Sequence, residues 1–130
     1  MIKVLTLLKA LSPKELKLFR QFVESPFFNK RSDVVKLMDF WEKNRRNFSK
    51  EVAYESIFLD KKFNTQNWHL LTSRLFKLGE QFLSVNEMLQ DSVDKKSYLS
   101  KAYRKKKLEP LFQSTIKDVR KELDLSLIHI

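Results

Sequence analysis

The residues of this chain that come nearest to doing chemistry are cations. Lys101, Arg104, Lys105, Lys106 and Lys107 crowd into seven positions with Tyr98 and Tyr103 close by, and Lys43, Arg45 and Arg46 form a smaller group. Basic side chains interleaved with aromatic rings suit phosphates and stacked bases, the first by charge and the second by their faces. Both groups fall where a helix is expected to end, and cations there oppose the negative end of the helix dipole. A structural role therefore accounts for them as well as a binding one. They are the candidate nucleic-acid or anion contacts.

Nothing else has the spacing of a reactive site. The chain has no Cys and two His, so neither a disulfide framework nor a thiolate site is available. His69 has no His or Cys partner at metal-ligand spacing and reads as an edge-of-core or surface imidazole; His129 is next to last in the chain. No Ser or Thr sits in a nucleophile elbow, no Gly-rich loop is present to cradle a phosphate, and the carboxylates stand singly among lysines. The reading is non-enzymatic, with no cofactor, no metal and no small-molecule ligand. One more feature is a candidate for protein docking: Phe27 and Phe28, adjacent in Ser25-Pro26-Phe27-Phe28-Asn29-Lys30. Two rings in a loop can form an exposed docking point, but burying a Phe is favourable enough that both are expected to fold back as plugs over neighbouring helices.

What must position these residues is helical. The chain has 130 residues, 42% of them hydrophobic and 11 of them Phe, with one Gly and three Pro. That length suits one domain and a substantial core, and so few turn formers disfavour a β fold. The net charge of +10 comes from 26 basic and 16 acidic residues, and seven of the 26 are Arg. Such a surface favours anionic partners, although lysines mixed with acids also serve simply to solubilise. No apolar run approaches the roughly 20 residues a membrane helix needs. Lys9 interrupts the apolar patch of Met1 to Leu11 and no small-residue cleavage site follows, so the N-terminus reads as a first amphipathic helix rather than a signal peptide. The expected location is the cytoplasm.

The strongest periodicity lies between Asn64 and Gln90. Trp68, Leu71, Leu75, Leu78, Phe82, Val85 and Leu89 recur at steps of three and four, which places them on one face of a long helix over about 65–90. Asn64 is a good N-cap, with Phe63 and Trp68 at staple positions. Phe76 and Leu83 widen the stripe, and Thr72, Gly79 and Asn86 lie near its middle. A mid-helix glycine costs about 1 kcal/mol relative to alanine, so Gly79 points to close approach of another helix.

The remaining elements follow in order. Val4, Leu5, Leu7, Leu8 and Leu11 mark a short first helix. Ser12-Pro13-Lys14-Glu15 restarts the chain as a capping box with Pro at the first helical position, with Leu11 and Leu16 at staple positions. Leu16, Phe19, Phe22 and Val23 line the second helix, Leu18 widens its face, and it stops at Ser25 before Pro26. Ser32 is expected to cap a third helix through about Arg45, with Val34, Leu37, Met38 and Trp41 inward. Ser49 caps a fourth through Leu59, with Val52, Ala53, Ile57 and Phe58 inward, and Asp60-Lys61-Lys62 is a polar connection. After Asp91-Ser92-Val93-Asp94 a helix runs to about Lys107 with Tyr98, Leu99, Ala102 and Tyr103 as its apolar face. Pro110 restarts the chain for a last helix carrying Leu111, Phe112, Ile116, Val119 and Leu123. Two helices joined by so short a turn pack as a hairpin.

These residues resemble the N-terminal region of large, uncharacterised all-helical proteins of Bacteroidota-type bacteria. The resemblance is carried by Leu11, Glu15, Phe19, the Ser25 to Lys30 loop, Leu71, Ser73, Leu75, Leu78, Phe82, Leu83, Tyr98-Leu99, Ala102-Tyr103-Arg104, and Leu108 to Phe112. It implies a helical array, repeat-like further on, with no assigned activity and no functional residues to transfer. Leu7-Leu8 and Ser12 to Phe19 are also similar to the first two helices of pyrin-type death-fold modules, from whose compact six-helix pattern the long helix departs. Leu125-Ser126-Leu127-Ile128-His129-Ile130 match one reading frame of CTGTCTCTTATACACATC, a transposon end used as a sequencing adapter. They read as a non-native tail, the protein's own sequence continuing past about Asp124.

The expectation is therefore an all-α fold of six or seven helices, an orthogonal or hairpin array around the 65–90 helix and the start of a helical-repeat solenoid. Residues 1–124 are expected to form a single helical domain, the N-terminal part of a longer protein. The expected role is protein–protein interaction or scaffolding; the alternative is nucleic-acid binding through the clusters at 43–46 and 101–107.

Overall fold

The computed structural model describes residues 2–59 and 61–128, with side chains described to residue 125. Met1, Asp60 of the polar connection, and His129 and Ile130 of the tail lie outside the described residues. Among the described residues the fold is all-α, with seven helices and no strand: α1 (Ile2–Ala10), α2 (Pro13–Glu24), α3 (Ser32–Lys43), α4 (Lys50–Ile57), α5 (Thr65–Gln90), α6 (Ser92–Lys105) and α7 (Glu109–Ile128). The chain divides into two compact units, Met1–Leu83 and Ser84–Ile130, with the boundary inside α5.

The first unit is built on the N-terminal part of α5. Asn64 caps it, its side-chain oxygen accepting from the Asn67 N–H at 3.1 Å, and the Phe63 and Trp68 rings lie 6.2 Å apart as a staple. Trp68, Leu71, Leu75, Leu78 and Phe82 are buried, each worth about 1.5–3 kcal/mol when fully removed from water. The other elements converge on them. Leu7 of α1 lies against Gly79, and Phe19 and Phe22 of α2 pack on Phe82 with ring centroids 5.3 and 5.7 Å away. Phe48 reaches Trp68 at 6.3 Å, and the Tyr54 hydroxyl of α4 accepts from Asn67 Nδ2 at 3.4 Å. The stripe does not hold to the end of the helix: Val85 is half-buried and Leu89 exposed. Phe76 is half-buried and Leu83 exposed, so the buried arc is narrower than its sequence suggests.

The start of α2 is the expected capping box. The Glu15 N–H donates to Ser12 Oγ at 3.1 Å and the Ser12 N–H donates to Glu15 Oε1 at 2.9 Å. Leu11, Leu16, Phe19, Phe22 and Val23 are buried, whereas Leu18 is exposed and widens nothing. Ser32 is not a cap. Asn29 cinches the loop instead, donating to the carbonyls of Val23 and Arg31 and accepting from the Arg31 N–H, so that Arg31 takes the cap position and Ser32 is the first helical residue. α3 buries the four residues expected of it. It is tied to α2 by Arg20, which pairs with Asp39, with Glu42 at 3.2 Å and with Glu24 of its own helix at 3.1 Å. Ser49 caps α4. The helix then faces inward through Ala53, Tyr54 and Ile57, with Val52 in solvent and Phe58 half-buried. The expected inward Val52 is turned outward because Tyr54 packs tilted against Phe58 and edge-on against Phe63, with centroids 4.6 and 5.3 Å away, and the larger ring takes the interior.

In the second unit α6 and α7 form a hairpin. Asp91 caps α6 by accepting from the Asp94 N–H at 3.0 Å. The face turned toward α7 differs from the expected one. Ser100 and Thr115 are the buried residues of the pair, with Val93, Ser97, Tyr103, Phe112, Ile116 and Val119 half-buried. Tyr98, Leu99, Ala102, Leu111 and Leu123 are exposed. The spacing of Val93, Ser97, Ser100 and Tyr103 is as helical as that of the apolar set, and small hydroxyl side chains let two helices approach closely. Ser100 and Thr115 satisfy their own hydroxyls on the Ser97 and Leu111 carbonyls at 2.7 and 3.0 Å. Lys96 pairs with Glu122, which also accepts from Ser92 Oγ at 2.9 Å.

Candidate interaction surfaces

The larger basic cluster is positioned by the way α6 ends. Lys106 caps it and Lys107 takes a left-handed conformation, φ 59°. The Leu108 N–H then donates to the Tyr103 carbonyl at 2.9 Å and the Lys107 N–H to the Arg104 carbonyl at 3.1 Å. This is a Schellman motif with lysine where glycine is usual. A right-handed residue followed by a left-handed one can form an anion-binding nest of N–H groups, but here the helix's own carbonyls take up those donors. The turn offers an anion side chains, not backbone. Lys101, Arg104, Lys105, Lys106 and Lys107 are all exposed, and none enters an ion pair among the described residues. The Lys101 ammonium lies 5.1 Å from the Tyr98 ring, whose residue is 60% exposed.

The smaller cluster closes α3. Lys43, Arg45 and Arg46 are exposed around a shallow cleft of about 440 Å³ that also includes Glu42, Asn44 and Asn47. The Arg45 guanidinium is held 4.7 Å over the Trp41 ring, a cation–π contact that orients it without removing its charge. The two clusters belong to different units.

The Phe pair is split. Phe28 is a plug, half-buried and stacked on Phe22 with centroids 4.0 Å apart. Phe27 meets only the edge of Phe28 at 5.1 Å and is 88% exposed, which corrects the expectation that both rings fold back. Pro26 and the Asn29 hydrogen bonds set the loop so that one ring faces in and its neighbour faces out.

His69 is exposed, on the rim of a cleft of about 600 Å³ between α1 and α5. The cleft leaves little trace in the sequence: of the small residues within the α5 stripe, Thr72 lines it and Gly79 does not, being covered by Leu7. Among the described residues no three His, Cys, Asp or Glu side chains gather where they could hold a metal ion, and no helix is long and apolar enough to cross a membrane. Compared with models of protein families, with curated proteins and with solved structures, the chain matches none.

Proposed function

We propose that this chain is a non-enzymatic helical module for protein–protein interaction or scaffolding. It would act in the cytoplasm as part of a longer helical protein of the Bacteroidota-type kind it resembles. The observation that carries the reading is the α6–α7 hairpin. Ser100 and Thr115 are its buried residues, with Val93, Tyr103, Phe112, Ile116 and Val119 half-buried, while Tyr98, Leu99, Leu111 and Leu123 remain in water. Large apolar side chains left out by the hairpin itself are the kind of surface that a partner covers.

A photo-crosslinking residue placed at Leu99, and separately at exposed Lys117 of α7, tests the proposal in cells. A discrete protein adduct from position 99, weakened by Tyr98→Ser and absent from position 117, is the expected result. No adduct at 99, or equal adducts at both positions, removes the reading.

A second reading, nucleic-acid binding, is favoured by one specific observation. The five cations of 101–107 are exposed and clear of ion pairs among the described residues, beside an exposed tyrosine ring. A salt series of nucleic-acid binding separates the two readings.

A further inference from the structure

The cleft between α1 and α5 has a volume of about 600 Å³, within the range of ligand-binding clefts. Its floor is Val4 and Thr72, both buried, and half-buried Phe76. The Thr72 hydroxyl is already engaged with the Trp68 and His69 carbonyls at 3.0 and 3.2 Å, so the floor makes no polar demand on a ligand. Ile2 stands at the mouth, 83% exposed. Lys3 lines the cleft from α1 and Lys77 from α5, so each wall carries a cation, that of α5 together with Glu80. Neither lysine enters an ion pair among the described residues; the ion pairs described in the first unit are those of Arg20 and Arg31. Glu80 is the single acidic side chain in the lining.

We infer that this cleft receives an acidic amphipathic helix of a partner protein. An apolar stripe would lie against exposed Ile2 and half-buried Phe76, above the buried Val4 and Thr72, and carboxylates on its two flanks would meet Lys3 and Lys77. Helix-in-groove docking needs an open apolar floor between two walls, and the lysines on opposite walls select acidic flanks over basic ones. The inference involves only residues of α1 and α5 and does not rest on the hairpin surface.

Fluorescence anisotropy on the full chain tests it with three labelled synthetic helical peptides. One carries Leu at i, i+4 and i+7 with Glu on both flanks, the second replaces Glu by Lys, and the third replaces Leu by Ser. The Leu/Glu peptide is expected to bind and the other two to bind at least roughly tenfold more weakly. Combining Lys3→Glu with Lys77→Glu should weaken the Leu/Glu peptide by roughly tenfold or more and shift preference to the Lys-flanked peptide, while Ile2→Ser weakens it without changing that preference. These positions are exposed, and an unchanged thermal midpoint confirms that the variants fold. Absence of Leu/Glu binding, equal binding of the Lys-flanked peptide, or indifference to the lysine reversals overturns the inference. So does dodecanoate occupying the cleft when no peptide does, which would assign it to a small amphiphile.

Discussion

Gly79 shows what one missing side chain does for the first unit. A Cβ added there would fall 2.9 Å from both terminal methyls of Leu7, closer than carbon atoms pack, so the Leu7 side chain lies where that atom would be. Alanine would regain about 1 kcal/mol of helix propensity and ask only that the Leu7 methyls rotate, so Gly79→Ala is expected to be nearly neutral. Leucine has no such outlet. Gly79→Leu should destabilise by about 1–3 kcal/mol in chemical denaturation, and combining it with Leu7→Ala should recover part of that loss relative to the sum of the single changes. Strict additivity would show that the two residues do not meet. The need for close approach was legible in the sequence, because a lone glycine inside an apolar stripe requires a reason. The identity of Leu7 as the neighbour was not, since it depends on how α1 is laid across α5. The same distinction holds at Phe27 and Phe28. Adjacent identical rings carry no sequence signal for which one faces inward; the backbone of the loop decides.

At the scale of elements, helix starts were legible and faces less so. Ser12 with Glu15, Ser49 and Asn64 act within one turn of themselves and cap as their sequence implies, whereas Ser32 yields the cap position to Arg31 because the Asn29 bonds set the loop before it. Faces depend on a distant partner. On α6 the set Tyr98, Leu99, Ala102 and Tyr103 competes with Val93, Ser97, Ser100 and Tyr103, and it is the second that turns inward. The hairpin yields two predictions. Lys107 holds a left-handed backbone that costs an L-residue about 1 kcal/mol. Lys107→Gly should therefore stabilise α6 and α7 by about 0.5–1 kcal/mol, read from amide exchange across the two helices; faster exchange would contradict it. Glu122 has a pKa held below the usual glutamate range, first by the Lys96 hydrogen bond and then by that of Ser92. A carboxyl depressed on folding contributes stability above its unfolded value, about pH 4.3, and loses it as pH falls through the lower folded value. Protection of α6 amides should drop over that acid window, and Glu122→Gln should flatten the drop while leaving the neutral-pH fold intact. An unchanged acid profile in Glu122→Gln would show that the Lys96 and Ser92 bonds do not form in solution.

For the whole molecule the decisive quantity is how its charge of +10 is used. Diffuse positive charge attracts any polyanion weakly, whereas a site releases a countable number of ions when its cations meet phosphates. Each phosphate neutralised on duplex DNA contributes a slope of about −0.9 to log K against log salt. If the five cations of 101–107 act together, the slope should approach roughly −4.5, with tyrosine stacking adding affinity for single strands. Reversing Arg104, Lys105, Lys106 and Lys107 to Glu should then abolish binding. All four side chains are exposed and clear of ion pairs among the described residues, so the fold should persist, as a circular dichroism melt would verify. Reversing Lys43, Arg45 and Arg46, set beside reversal of Arg104, Lys105 and Lys106 alone, is the control matched in charge. Equal losses from the two reversals would mean that net charge, not a site, does the binding. The protein-interaction reading makes the opposite forecast for the same assay: no complex at low salt, and a Leu99 crosslink to a protein that survives the reversal at 104–107. Binding with a steep salt slope, lost only on reversal at 104–107, would instead assign the cluster to nucleic acid and leave the apolar side chains of the hairpin to serve the same ligand.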